Sequence, residues 1–153
     1  MKFLYLTFMF SLLASAQEII INQVSVKDGE TVFELQLETG RQTIIALELS
    51  LSSPDGEVKT VIAGQATKEC GKYAFYYKPS DKLYLFGFND ESLPSGIIIR
   101  VTVTGSGLLV NDAIAVTDQG EELPLPANNP VTEPTIEPTI EPTPPEDPDL
   151  PNQ

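Results

Sequence analysis

Apolar and polar side chains alternate with a period of two through much of this chain. In residues 32–37, Phe33, Leu35 and Leu37 alternate with less apolar neighbours. Residues 43–51 continue the pattern, with Ile45, Leu47, Leu49 and Leu51 on one side and Ile44, Ala46, Glu48 and Ser50 on the other. Because successive side chains of a strand point to opposite faces, this alternation predicts strands with one buried face. We expect the first of these two sets to face the core.

Turn residues separate the apolar runs at short intervals. Asp28-Gly29 and Pro54-Asp55-Gly56 have strong turn chemistry, because Gly and Asp tolerate positive φ and Pro presets the turn. The predicted strands cover residues 19–26, 32–37, 43–51, 58–63, 72–78, 82–88, 97–104, 108–117 and 121–125. No segment has a helical period. About nine short strands predict an all-β, two-sheet sandwich of jelly-roll type.

The first sixteen residues have the order of a secretory signal. Lys2 precedes an apolar run over residues 3–13, which ends in the small residues Ala14-Ser15-Ala16. That run is much shorter than the ~20 residues a membrane-spanning helix needs. We therefore expect residues 1–16 to be a cleaved signal peptide, and the mature chain to begin at Gln17 in a secreted or cell-surface location.

Composition changes again after Pro126. Residues 127–153 hold eight of the thirteen prolines and six acids, with no base, glycine or aromatic residue. Such a segment buries too little apolar surface to offset its ordering entropy. Three Thr-(Ile)-Glu-Pro units repeat within it, which favours an extended, charged spacer. The sequence thus predicts a single folded domain at residues 17–126 and a disordered acidic Pro/Thr-rich tail at 127–153.

Charge and missing residue types exclude several classes of function. The chain has 9 basic and 22 acidic residues, a net charge of −13, so nucleic acid is a poor partner. It has no histidine, which removes serine-histidine and cysteine-histidine nucleophiles and most zinc sites. The single cysteine, Cys70, has no partner for an internal disulfide. We expect no catalytic residue, cofactor or metal.

The order of these features resembles the cohesin domain and the related cellulose-binding-module-like β-sandwich superfamily. The resemblance is carried by the passages at residues 28–37, 44–51, 82–89, 95–103 and 111–125. It implies binding of a dockerin-like protein through an exposed face of one sheet. In the family that face is built from the third, fifth, sixth and eighth strands, which here correspond to residues 43–51, 72–78, 82–88 and 108–117.

Five residues are the predicted partner contacts. Glu48 and Ser50 follow from the outward phase of their strand. Tyr84, Asn89 and Asp90 follow from their place at a strand end and its loop, where polar recognition groups collect. The alternation of residues 73–77 leaves both faces of that strand open, because aromatic residues occupy each side.

Other functions stay open at this point. A carbohydrate-binding module needs a flat aromatic platform, for which the sequence offers Tyr73, Tyr76, Tyr77 and Tyr84 but no tryptophan. A structural surface or envelope protein fits the same pattern. Carboxylates for glycosidase chemistry are found at Asp90-Glu91, Glu121-Glu122 and Glu48. Calcium ligands are offered by Asp28, Asp55, Asp112 and Asp118, though Asp-Gly pairs more often form turns.

Overall fold

A computed structural model describes residues 16–129 of the chain. The expectations for residues 1–15 and for residues 130–153 lie outside this range. Within it the chain forms ten strands, one short α-helix and one 3₁₀ turn at Lys78–Ser80. The strands are β1 (Glu18–Lys27), β2 (Glu30–Glu38), β3 (Ile44–Ser52), β4 (Glu57–Ala63), β5 (Tyr73–Tyr77), β6 (Lys82–Phe86), β7 (Gly96–Thr104), β8 (Leu109–Thr117), β9 (Glu122–Pro124) and β10 (Ala127–Asn128), and the helix is α1 (Gln65–Glu69).

The strands form two five-stranded sheets. The first has the order β10-β1-β2-β7-β4 and the second has the order β5-β6-β3-β8-β9. Neighbouring strands are antiparallel except β1 and β10, which pair in parallel. The predicted all-β, two-sheet sandwich is confirmed, with ten strands instead of about nine.

The core is built from the inward stripe of each sheet. Leu35 and Leu37 of β2 and Leu47, Leu49 and Leu51 of β3 are all fully or almost fully buried. Each such leucine contributes roughly 1.5–3 kcal/mol by leaving water. Because the alternation repeats on both sheets, burying the two apolar stripes together accounts for the sandwich.

The prediction of which side chains of β3 face the core is wrong at the start of the strand. Leu47, Leu49 and Leu51 point inward as predicted, but Ile44 is fully buried and Ile45 only partly so. The pairing of β3 with β8 shifts register between Ile44 and Ala46. An extra residue at such an irregularity reverses the faces on one side of it. Ile44 therefore joins the core, and Ala46 keeps its outward position.

The short helix α1 is one of the elements that the sequence pattern missed. It covers residues 65–69 between β4 and β5, too few for a helical period to be visible. Thr67 on this helix is buried and donates its hydroxyl to the Ile98 carbonyl of β7 at 2.7 Å. Cys70 ends the helix as a half-buried free thiol, with its Sγ donating to the Thr67 carbonyl.

The folded domain extends past the boundary expected at Pro126. Ala127 and Asn128 form β10 and pair with Ile19 and Ile20 of β1. The Asn129 side chain accepts from the Val110 amide at 2.9 Å and donates to its carbonyl at 3.0 Å. Residues 127–129 are therefore part of the sandwich, because their polar groups link its two sheets.

Candidate functional site

The outward side of the β5-β6-β3-β8-β9 sheet carries most of the exposed aromatic residues of the described chain. We call it the aromatic face. Across it, Glu48 of β3 lies between Tyr84 of β6 and Ile114 of β8, and Phe75 of β5 lies beside Tyr84. These cross-strand partners point the same way, so they form one continuous row.

The structure decides which side of β5 is exposed. Tyr73, Phe75 and Tyr77 point outward, and Phe75 is 53% exposed. Tyr76 points the other way, packs against the core and donates its hydroxyl to Asp81 Oδ1 at 2.7 Å. Burial, together with that hydrogen bond to a carboxylate, raises the pKa of the Tyr76 phenol. Tyr76 therefore belongs to no outward platform, unlike Tyr73, Tyr77 and Tyr84.

Three aromatic rings meet at one end of this face. The centroids of Tyr73 and Phe86 are 6.3 Å apart, those of Tyr73 and Phe88 are 6.4 Å apart, and those of Phe86 and Phe88 are 6.2 Å apart. Their planes are inclined at 46°, 57° and 89°, as expected for tilted and edge-to-face pairs. These rings form a ridge of varied orientation instead of a flat platform.

The loop that carries Phe88 is held by two hydrogen bonds that involve the adjacent residue, Asn89. The Asn89 side chain donates to the Cys70 carbonyl at 3.0 Å. Lys72 has a buried stem, and its Nζ donates to the Asn89 carbonyl at 3.0 Å. Phe88 is nevertheless 93% exposed. A fixed backbone thus presents an apolar ring to solvent.

A depression of about 290 Å³ lies beside these rings. Its position depends on Ala46, whose small side chain sits between the larger Phe86 and Val116 on the two flanking strands. The outward side chains around it are Glu48, Phe75, Tyr84, Phe86, Ile114, Val116 and Glu122. The depression is therefore apolar in its walls, with carboxylates as its only charged groups.

One ion pair occupies the middle of the aromatic face. Lys82 of β6 donates to the Glu48 carboxylate, and both side chains are about one-third exposed. The hydrogen bond to Glu48 raises the pKa of Lys82, while burial opposes it. Glu48 is consequently neutralised within the sheet and lies at its centre, not at its rim.

Comparison with solved structures identifies the architecture. A cohesin module from a Clostridium perfringens family 33 glycoside hydrolase aligns with a TM-score of 0.55 and 10% identity, over 72% of this chain and 90% of that module. A non-cellulosomal cohesin from the hyperthermophilic archaeon Archaeoglobus fulgidus aligns with a TM-score of 0.52 and 14% identity, over 74% and 86%.

The fold is cohesin-like.

At these identities the likeness extends to the fold alone. No protein-family model matches the sequence, and no curated protein matches it significantly. The resemblance inferred from the strand pattern is nevertheless confirmed for the fold. The four strands named from that resemblance, now β3, β5, β6 and β8, lie side by side in one sheet of the cohesin-like sandwich.

The predicted contacts divide into two groups in this cohesin-like sandwich. Glu48, Ser50 and Tyr84 share the outward face, and Ser50 lies opposite Lys82 and Asp112. Asn89 and Asp90 lie in the exposed loop after β6, where Asn89 uses its amide to hold Cys70. No observation tests any of the five as a contact, so they stay predictions.

Sequence reasoning did not single out Phe75, Phe86 or Phe88. It named Tyr73 and Glu122 only for other functions, an aromatic platform and glycosidase chemistry, and it placed Ala46 on the outward side of its strand without a role. A period of two cannot assign a face to residues 73–77, because both faces are aromatic or small. Phe88 follows the end of β6 and was counted within that strand. One signal was available: Phe86 lies two residues from Tyr84, so it shares the face of a residue already predicted to be outward.

The carboxylates considered for catalysis or calcium are mostly separate from one another. Asp55 accepts three hydrogen bonds from Ser106 and Gly107, at 2.6, 2.8 and 3.1 Å. The Ser106 hydroxyl is the main cause of the lowered pKa of Asp55. Within residues 16–129, no group of three or more metal-ligating side chains converges.

In the same range, no helix is long and apolar enough to cross a membrane.

Proposed function

We propose that this protein is a secreted, non-catalytic binding module that holds a dockerin-like protein partner on the aromatic face. The observation that carries the proposal is the set of exposed rings on β5, β6 and the following loop. Tyr73, Phe75, Tyr77, Phe86 and Phe88 are all 38% exposed or more. Contiguous exposed apolar surface of this kind marks interaction sites on soluble proteins.

The composition of the face suits a protein interface. Aromatic residues are enriched at the centres of such interfaces and supply most of their binding energy. The hydrogen bonds made by Lys72 and Asn89 hold the backbone beside Phe88 before binding. A residue that is already ordered loses less conformational entropy on association. The cohesin-like fold supports a dockerin-like partner in particular, because β3, β5, β6 and β8 form this face.

Charge placement supports a non-catalytic role. A glycosidase acid must keep a proton near neutral pH, which requires an enclosed apolar site. Glu48, the central carboxylate of the face, instead accepts a hydrogen bond from Lys82. Asp90, Glu91 and Glu121 lie on exposed loops.

Replacing Tyr84 tests the face directly. Tyr84→Ala is expected to weaken binding of a purified dockerin module from the same organism by about 1 kcal/mol or more, roughly fivefold in Kd. Ile62→Ala is the matched control, because Ile62 is 52% exposed on the opposite sheet. Titration calorimetry gives both affinities, and circular dichroism checks the fold. Unchanged affinity for Tyr84→Ala in a folded protein would exclude this face.

Secretion is tested on the exported protein. Since Ala14-Ser15-Ala16 has the small residues of a cleavage site, the mass of the intact mature chain is expected to start at Gln17. Intact-mass spectrometry of the culture medium and of the cell-surface fraction measures it. A chain that retains residues 1–16 would contradict the signal peptide.

A further inference from the structure

The depression at Ala46 has the chemistry of a site for one long cationic side chain. Phe86 and Val116 flank it from two strands, and the Tyr84 ring lies on the same side of the sheet. These apolar and aromatic surfaces match the hydrocarbon stem of lysine or arginine, and aromatic faces also attract the charged head group.

Glu122 supplies a counter-charge at the same depression. It is the cross-strand partner of Val116, is exposed, and forms no ion pair with another residue of the range 16–129. Glu48 also borders the depression, but Lys82 already neutralises it. The free carboxylate at this site is therefore that of Glu122.

The wider charge of the face points to the same kind of occupant. Its outward charged residues are three acids, Glu48, Asp112 and Glu122, and one base, Lys82. Two further acids, Asp90 and Glu91, lie in the loop beyond Phe88. Lys72 is the base nearest that loop, and its Nζ is engaged with the Asn89 carbonyl. This excess of acids favours a basic partner surface and disfavours an acidic one.

The volume of the depression also limits the kind of ligand that it can hold. A volume of about 290 Å³ is at the lower end of the roughly 300–1,000 Å³ of small-molecule sites. It suits one side chain better than a run of sugar rings. The inclined rings of Tyr73, Phe86 and Phe88 also provide no flat platform for a polysaccharide.

We propose that the Ala46 depression receives an arginine or lysine side chain of the protein partner, with its stem on Phe86 and Val116 and its charge beside Glu122. This inference rests on the proposed function, since it names the chemistry of the partner at the same face. Arginine fits better of the two, because its planar head group also stacks on aromatic rings.

The test uses small probes that do not require the partner. N-acetyl-arginine amide is titrated into the ¹⁵N-labelled protein, with N-acetyl-citrulline amide as the uncharged probe of the same shape. We expect saturable shifts at the amides of Ala46, Phe86 and Val116, and about fivefold weaker binding of the citrulline probe. Equal binding of the two probes would overturn the proposal, and so would tighter binding of cellotetraose at these amides.

Two variants and one control variant test which carboxylate and which space the probes use. Glu122→Gln is expected to reduce the arginine preference to about twofold, because the aromatic attraction remains. Glu91→Gln removes the same charge from the nearby loop and is expected to leave the preference unchanged. Ala46→Leu fills the depression and is expected to abolish binding of both probes. An equal loss in Glu91→Gln, or full binding in Ala46→Leu, would reject the site.

The two experiments distinguish a wrong cationic occupant from a wrong binding face. If the dockerin module still loses affinity in Tyr84→Ala while the arginine probe shows no preference, the face is correct and the cationic occupant is wrong. If Tyr84→Ala leaves the dockerin affinity unchanged, the face itself is wrong.

Discussion

Leu49→Ala is expected to lower the free energy of unfolding by about 3 kcal/mol, within the range of about 2–5 kcal/mol for buried Leu→Ala changes. Leu49 is fully buried and lies in the central strand of its sheet, opposite Leu83 and Ala113. Strands on both sides hold the backbone, so the cavity left by the leucine cannot easily collapse. The loss is a large part of the roughly 5–15 kcal/mol that stabilises a typical domain.

Chemical denaturation of the purified protein measures this effect, and the neighbouring residue gives the control. Ser50 is adjacent in β3 but points outward. Ser50→Ala is expected to change stability by less than about 0.5 kcal/mol, as surface substitutions usually do. A loss of less than about 1 kcal/mol in Leu49→Ala would show that the Leu49 side chain is not packed in the core between the two sheets.

Gly56→Ala is expected to destabilise the domain by about 3 kcal/mol, the upper end of typical overpacking costs. A Cβ atom at Gly56 would lie 1.2 Å from the Thr104 carbonyl oxygen. That contact is with backbone, so no side-chain rotation relieves it. Glu57 pairs with Thr104 at the start of β4. We therefore expect the β4-β7 pairing to separate at this end.

A second glycine separates steric overlap from backbone strain. Gly120 has φ of +77° and nothing within 4 Å of an added Cβ. Gly120→Ala is expected to cost only about 1 kcal/mol, because strain is its sole penalty. Thermal unfolding of both variants gives the comparison. Equal losses would mean that the close approach of Gly56 to Thr104 is absent.

The strand pattern predicted the sandwich well, and the reason lies in β2 and β3. Leu35, Leu37, Leu47, Leu49 and Leu51 alternate with more polar residues, and a strand of that kind has only one face to bury. The turn residues between the runs limited each strand to a short length. The set of four neighbouring strands followed from the resemblance, not from the alternation.

The candidate site was predicted only in part. The outward positions of Glu48 and Ser50 were predicted from the phase of their strand, and Tyr84 was predicted from its place near a strand end. The outward positions of Tyr73 and Phe75 were not predicted, because β5 has apolar side chains on both faces and its sequence is compatible with either orientation. The depression at Ala46 was also invisible, since it depends on Phe86 and Val116 from two other strands.

The sequence by itself determined the local features of this protein: its short strands, its turns and the buried stripe of β3 from Leu47 to Leu51. Each of these depends on neighbours within a few residues. The tertiary structure alone decided the outward side of β5, the inward position of Ile44, the short helix and the strand at Ala127–Asn128. The strand features depend on pairing between distant segments, where burial and register are set by the partner strand and not by the residue's own neighbours. The helix depends on a distant segment as well, because its Thr67 donates to the Ile98 carbonyl of β7.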